Sequence, residues 1–263
     1  MTAAVPGRLT PAGRFARGAA GVAILVAASE ALGRAGIVHR DYLPPASVFL
    51  RRAAELAADT AFLGHLRATL TAWALGLLIA VAFAVPLGVV LGSVPVINTG
   101  TRAVVEFLRP IPSVALIPLA GLILGAGLQM KLTLIVYAAT WPILFNTMYG
   151  LNDVDPLAKD TLRSFGFGPL PVLYRVSLPY AAPFIATGIR LAAAVALILA
   201  VSTEILAGWG EGVGVFIAQA QTAPGGIDDM LAATVWTGTL GLVINAVLIA
   251  AERRLFRRQR RIS

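Results

Sequence analysis

The sequence predicts an all-α polytopic membrane protein, and three observations carry that expectation. Of 263 residues, 58% are hydrophobic and 13% charged, with a mean hydropathy of +0.82, whereas a soluble domain carries about 25% charged residues. Uncharged intervals of about 20 residues, the length a helix needs to cross a hydrocarbon core of roughly 30 Å, recur along the chain. Lys and Arg concentrate in alternate loops, as the positive-inside bias of membrane helices requires. Cysteine is absent, which removes disulfides, thiolate zinc sites and cysteine nucleophiles.

The first candidate span follows Arg8, Arg14 and Arg17 and runs over the apolar stretch 18–29, is interrupted by Glu30 and Arg34, and recovers at 35–38. Glu30 and Arg34 stand four apart, so on a helix they share a face and form an ion pair at a membrane end. A basic start before an apolar stretch also describes a secretory signal, but the stretch extends through Val38 and no convincing small-x-small cleavage site precedes the Glu30 turn, so a retained first helix is preferred. The second span is residues 69–91, 23 residues without a charge; the third is 110–130, 21 residues between Arg109 and Lys131; the fourth is 132–151, 20 residues. Only 13 residues separate Arg190 from Glu204, about 20 Å of helix. The fifth span therefore extends from near Pro183 to near Ala207, which leaves both charges close to a membrane face. Residues 230–251, 22 residues, form the sixth. Six transmembrane helices are expected.

With the N-terminus inside, 15 of the 21 basic residues fall on the cytoplasmic side, and six (Arg34, Arg40, Arg51, Arg52, Arg67 and Lys131) fall outside. The outer loop 208–229 has no basic residue but carries Glu211, Asp228 and Asp229. Both termini are then cytoplasmic. The net charge of +8 is accordingly an orientation signal and not a nucleic-acid footprint. The tail 252–263, with Arg253, Arg254, Arg257, Arg258, Arg260 and Arg261 directly after a span, reads as a stop-transfer segment facing anionic lipid.

Catalytic chemistry has little to work with. The two histidines, His39 and His65, both sit in the first outer loop, so no multi-histidine metal site is expected. A phosphate-binding P-loop needs Gly-Lys followed by Ser or Thr. Lys131 follows Met130 and Lys159 follows Ala158, so the chain binds no nucleotide through a P-loop. No catalytic, cofactor or metal residue is assigned. The glycine-rich run 208–214 reads as an outer turn, and Gly76, Gly88, Gly92, Gly121, Gly125 and Gly127 read as sites of close helix approach. Transporters driven by coupling ions place Asp, Glu or His inside their spans; spans two, three, four and six hold none. A stand-alone secondary transporter or channel is the weaker alternative, and a membrane enzyme is weaker again.

The cytoplasmic loop 152–182 is the most informative segment. Asp155 reads as an N-cap, Pro156 as the first helical residue and Gly166 as the terminator of a short helix. Pro169 or Pro171 opens a second, with Val172, Leu173 and Val176 as its apolar stripe before Leu178 and Pro179 turn the chain back to the membrane. Two short helices at a glycine turn, apolar on one side and basic on the other, make a knob suited to a partner's groove.

The run Asp160-Thr161-Leu162, three residues, Gly166, nine residues, Val176, one residue, Leu178-Pro179 resembles the cytoplasmic motif of binding-protein-dependent ABC importer permeases, which is Glu-Ala-Ala, three residues, Gly, nine residues, Ile, one residue, Leu-Pro. Gly166, Leu178 and Pro179 match outright, Val176 replaces Ile, and Asp160 keeps the acidic first position. The runs 43–48, 109–119, 141–147 and 204–214 are similar to permeases of the nitrate, sulfonate and taurine subfamily. The resemblance implies a type I importer permease fold and two permease copies. It also implies two cytoplasmic ATPase subunits seated on loop 152–182, an extracytoplasmic substrate-binding protein, and a cargo such as sulfonate, taurine, nitrate or a similar organic anion. On this reading residues 1–263 form one inner-membrane permease domain with its core at about 60–251. Ser113, Gln129, Asn146 and Glu204 are candidates for the translocation path.

Overall fold

The computed structural model describes residues 11–36 and 39–256, and every regular element among them is helical. In chain order these are α1 (Pro11–Arg34), α2 (Ala46–Leu56), α3 (Thr60–Ser93), α4 (Pro95–Leu108), a 3₁₀ turn (Ser113–Leu116), α5 (Ile117–Leu124) and α6 (Leu128–Asn152). They continue with α7 (Pro156–Ser164), α8 (Pro169–Val172), a π turn (Leu173–Ser177), α9 (Leu178–Ala207), α10 (Val213–Thr222) and α11 (Ile227–Leu255). Arg8, Ile37, Val38 and the arginines beyond Phe256 lie outside the described residues.

Among the described residues, five helices are long and apolar enough to cross a membrane: α1, α3, α6, α8 to α9 taken as one run, and α11. They correspond to the expected spans one, two, four, five and six. The expected third span, 110–130, is not one helix. Pro110 and Pro112 each lack a backbone donor directly after α4, while Pro118 sits in the first turn of α5, where no donor is needed. The chain therefore ends α4 at Leu108 and restarts as the 3₁₀ turn and α5, a short apolar segment spanning Ser113–Leu124. The break is fastened to α6: Tyr137 Oη donates to Leu108 O at 2.9 Å, and the Arg109 guanidinium lies 4.5 Å from the centre of the Phe145 ring.

The core is the trio α3, α6 and α9. Its buried residues are chiefly small: Ala72, Ala80 and Ala84 from α3, Ala138 and Ala139 from α6, and Ala192, Ala193, Ala196 and Ala200 from α9, with Ile135 and Ile143 filling between them. In lipid, association rests on close backbone approach, which small side chains permit. Gly76 and Gly88 let α3 settle on Ile135 and Thr147 of α6, and Gly150 and Gly188 let α6 and α9 meet with no room for a side chain. Gly92 packs on Leu151 in the same way, Gly121 only touches Met130, and Gly125 and Gly127 lie in open space in the α5–α6 connection instead of at a helix crossing. Trp73 Nε1 donates to Ala193 O at 2.9 Å across the trio.

A second cluster covers the other end of α3. Phe62, Leu56 and Ala53 pack with Val213, Phe216, Ala232, Ala233 and Trp236, the Phe62 and Phe216 rings meeting edge to face at 5.1 Å. Trp236 Nε1 donates to Ala53 O at 2.9 Å. Arg52 Nε reaches Asp229 Oδ1 at 2.5 Å, tying α2 to the first turn of α11. Helix α1 touches the rest chiefly through α2. Glu30 and Arg34 do pair, at 2.6 Å, and Glu30 also accepts from Ser47 N at 2.8 Å and Ser47 Oγ at 3.0 Å. It thereby caps α2, whose preceding residue, Pro45, has no side-chain acceptor.

Candidate functional site

Loop 152–182 connects the C-terminal end of α6 to the N-terminal end of α9, the two most intimately packed helices, so whatever moves it moves both. Its first helix forms as the residue types dictate. Asp155 Oδ1 accepts from Leu157 N at 2.8 Å, and Pro156 at the first helical position forfeits no bond. At the other end Phe167 N donates to Leu162 O at 3.2 Å and Gly166 N to Arg163 O at 2.9 Å, the paired bonds of a Schellman stop. Gly166 holds φ +82°, a left-handed angle that a side chain would strain.

Pro169 opens the second helix. Val172 is buried and Leu173 and Val176 half-buried, as their apolar stripe predicts. Leu178 and Pro179, however, do not turn the chain. Helix α8 passes through the π turn directly into α9, because a wider turn accommodates the donor that Pro179 lacks and the ring that would clash with the preceding carbonyl. Tyr180 Oη then donates to Asp153 Oδ2 at 2.9 Å and closes the loop on itself.

The basic residues of this knob make contacts within the loop and with the end of α6. Lys159 Nζ turns back to Leu151 O at 3.2 Å, Arg163 pairs with Asp160 at 3.1 Å, and Arg175 lies 4.9 Å from the centre of the Phe167 ring. Arg163 and Arg175 nonetheless stay exposed, and the knob also presents an apolar cluster: Leu157, Phe165, Leu170 and Tyr174 are each more than 60% exposed, and no residue of α7 is buried. Asp160, Thr161 and Gly166 are exposed and Leu162 half-buried on the same helix and its stop.

The four path candidates are not gathered in one place. Ser113 starts the 3₁₀ turn, half-buried; Gln129 is exposed on the first turn of α6. Asn146 lies some 25 Å further along α6 at 1.5 Å per residue, donates to Pro142 O at 2.8 Å, and lines a cleft of about 450 Å³ with Tyr149, Asn152, Asp153 and Phe184. Glu204 is fully buried.

Its partner is the residue that sequence reasoning placed in an outer loop. Lys131 is buried on the first turn of α6, its Nζ 3.1 Å from Glu204 Oε1 and 2.7 Å from Glu211 O. The available signal was that both charges fall at the same end of neighbouring spans. Their helices' mutual rotation, which only the fold supplies, turns them together.

The fold and this loop define a polytopic helical membrane protein with an exposed two-helix knob between two core helices. Residues 84–261 match the family model described as binding-protein-dependent transport system inner membrane component. The chain belongs to that family. It is 30% identical over 219 residues to the taurine transport system permease protein TauC of Escherichia coli K12, covering 81% of this chain and 79% of that one. It is 26% identical over 190 residues to the nitrate import permease protein NrtB of Leptolyngbya laminosa, covering 72% and 67%. Its fold resembles a chain of the inward-facing MetNI methionine ABC transporter with a TM-score of 0.60 at 19% identity, covering 80% of this chain and 97% of that one. The protein is thus a multi-pass permease component of an ABC importer of the taurine and nitrate type.

Proposed function

We propose that this chain, as two copies, forms the pathway of an importer for a small anion such as a sulfonate, taurine or nitrate. An extracytoplasmic binding protein delivers the solute, and two ATPase subunits, which hold ATP and magnesium, drive the transport. The observation that carries the ATPase contact is the knob: a capped helix with no buried residue, presenting Leu157, Phe165, Leu170 and Tyr174 between the ends of α6 and α9. In water such a cluster is stabilised by a partner's groove. Asp160, Thr161, Leu162, Gly166, Val176, Leu178 and Pro179 shape this contact. Closure of the ATPase pair would draw the two knobs together and tilt α6 and α9 as one. Ser113, Gln129 and Asn146 are proposed to face the solute.

In this reading α4 and α5 together make a sixth, broken crossing, irregular backbone being tolerated where protein or a path surrounds it. Both termini lie in the cytoplasm of a cell whose inner membrane holds the complex, residues 60–251 form the permease core and 252–263 a basic tail against anionic lipid. The test is capture of the companion ATPase in detergent by the wild type and by Gly166→Val, which strains the turn that aims α7. The variant should fold with an unchanged thermal midpoint of the membrane core and lose the ATPase. Equal capture by both, or solute uptake by this chain alone in liposomes, would overturn the proposal.

A further inference from the structure

Far from the knob, at the other end of α6 and α9, Glu204 sits at the centre of a closed polar cluster inside an apolar bundle. Oε1 receives Lys131 Nζ at 3.1 Å; Oε2 receives Thr69 Oγ1 at 2.8 Å and Gly214 N at 3.0 Å. The connection between α9 and α10 is stitched down by the same groups: Lys131 Nζ holds Glu211 O at 2.7 Å, Val213 N donates to Thr69 Oγ1 at 2.8 Å, and Gly212 N donates to His65 Nδ1 at 3.1 Å. Four elements, α3, α6, α9 and the start of α10, thus meet on one carboxylate. The backbone is shaped for it. Gly212 has φ +153° and a side chain there would overlap the Glu204 carboxylate, while one at Gly214 would strike Val201 O. The Gly-Val-Gly run is therefore a seat in which bare backbone lies against a buried anion.

Such a cluster resists opening, because parting any member leaves a charge or a donor buried without a partner. It is consequently a permanent tie, not a switch. Its position gives the tie a use. The trio α3, α6 and α9 is close-packed along its length through Gly76, Gly88, Gly150 and Gly188, and the knob attaches at its opposite end. Resting on the importer reading above, we propose that Glu204, Lys131 and Thr69 are positioning residues that fasten loop 208–214 to the outer end of this trio. Motion imposed at the knob then arrives at the outer mouth instead of being absorbed by a loose loop. Trp209, 72% exposed, and Glu211 ride on that loop beside Arg67 and Thr71 in a polar cleft of about 640 Å³. They are the groups whose placement the tie controls. Glu204 acts through the loop and has no free oxygen directed at a solute.

Two measurements on the full permease test this. Amide exchange at Gly212, Val213 and Gly214 in Glu204→Gln, in Thr69→Val and in the double variant Glu204→Gln with Lys131→Met should be at least about tenfold faster than in wild type. The α7 amides should be unchanged. In the assembled complex in proteoliposomes, the same variants should hydrolyse ATP at near the wild-type rate while solute carried per ATP falls at least about tenfold. Thr69→Val keeps both charges paired and remains informative where Glu204→Gln does not fold. Protected loop amides in Thr69→Val and the double variant, or hydrolysis and uptake falling in proportion, overturn the proposal. If the wild-type complex shows no ATP-driven uptake, the importer reading itself fails, while the exchange measurement still decides whether the tie exists.

Discussion

Exchanging Gly188 for alanine tests whether close backbone contact holds α6 against α9. A Cβ at this position would stand 2.8 Å from Asn146 Cβ, 2.9 Å from Pro142 O and 3.2 Å from Ile143 Cα. Comfortable contact lies near 3.5–4.0 Å, so the two helices must part by roughly 1 Å, and Pro142 O is backbone that cannot swing aside. Overpacking of this size costs about 1–3 kcal/mol. Alanine is also the better helix former by about 1 kcal/mol, which offsets part of that cost. The control is Gly238 of α11, in mid-helix with nothing within 4 Å of an added Cβ. There the propensity gain stands alone. Because the propensity term is common to both variants, the gap between them isolates the packing penalty, about 1–3 kcal/mol, or about 2–12 °C in thermal midpoint at about 2–4 °C per kcal/mol for a chain of this size. The assay is thermal unfolding of the detergent-purified permease with each substitution. Gly188→Ala at or above the midpoint of Gly238→Ala would refute the reasoning.

Two other substitutions probe the ends of the molecule. Asp155→Ala removes the acceptor for Leu157 N and should loosen α7 by about 0.5–2 kcal/mol, read as faster amide exchange in α7 with the α6 and α9 amides unchanged. Arg52→Ala removes the pair with Asp229, whose groups are about one-third exposed, and should lower stability by about 1 kcal/mol or less. The hydrogen bond that Arg52 donates to Asp229, with a smaller share from the one to Glu55, raises the guanidinium above its already high ordinary value. A raised cation stabilises at every pH below its unfolded value and is lost only above it. The midpoint difference between Arg52→Ala and wild type should therefore be flat between about pH 6 and 9, and a difference that shrinks on raising the pH across that window would count against the pair.

Local rules sufficed wherever an element stands by itself. The spans at α3, α6, α9 and α11 follow from uninterrupted apolar length, and the knob's first helix follows from Asp155, Pro156 and Gly166, because caps and stops act over three or four residues. The Glu30–Arg34 pair is likewise a matter of spacing along one helix. Where prolines crowd, at Pro110 and Pro112, apolarity alone misled: residues 110–130 have the composition of a span but lack the donors to remain a single helix.

The site's electrostatics were less legible. Arg163 pairs with Asp160 by spacing along one helix, but the bond from Lys159 to Leu151 O and the stacking of Arg175 on Phe167 depend on how the loop folds. By itself the sequence determined that the chain lives in a membrane, roughly where it crosses, and that the loop after residue 152 opens with a capped short helix, since hydropathy and capping are sums over neighbours. Only the tertiary structure decided that Glu204 and Lys131 face each other with Thr69 and the amide of Gly214. Residues 73 positions apart along the chain meet through the rotation of packed helices about their axes, a quantity that no local pattern carries.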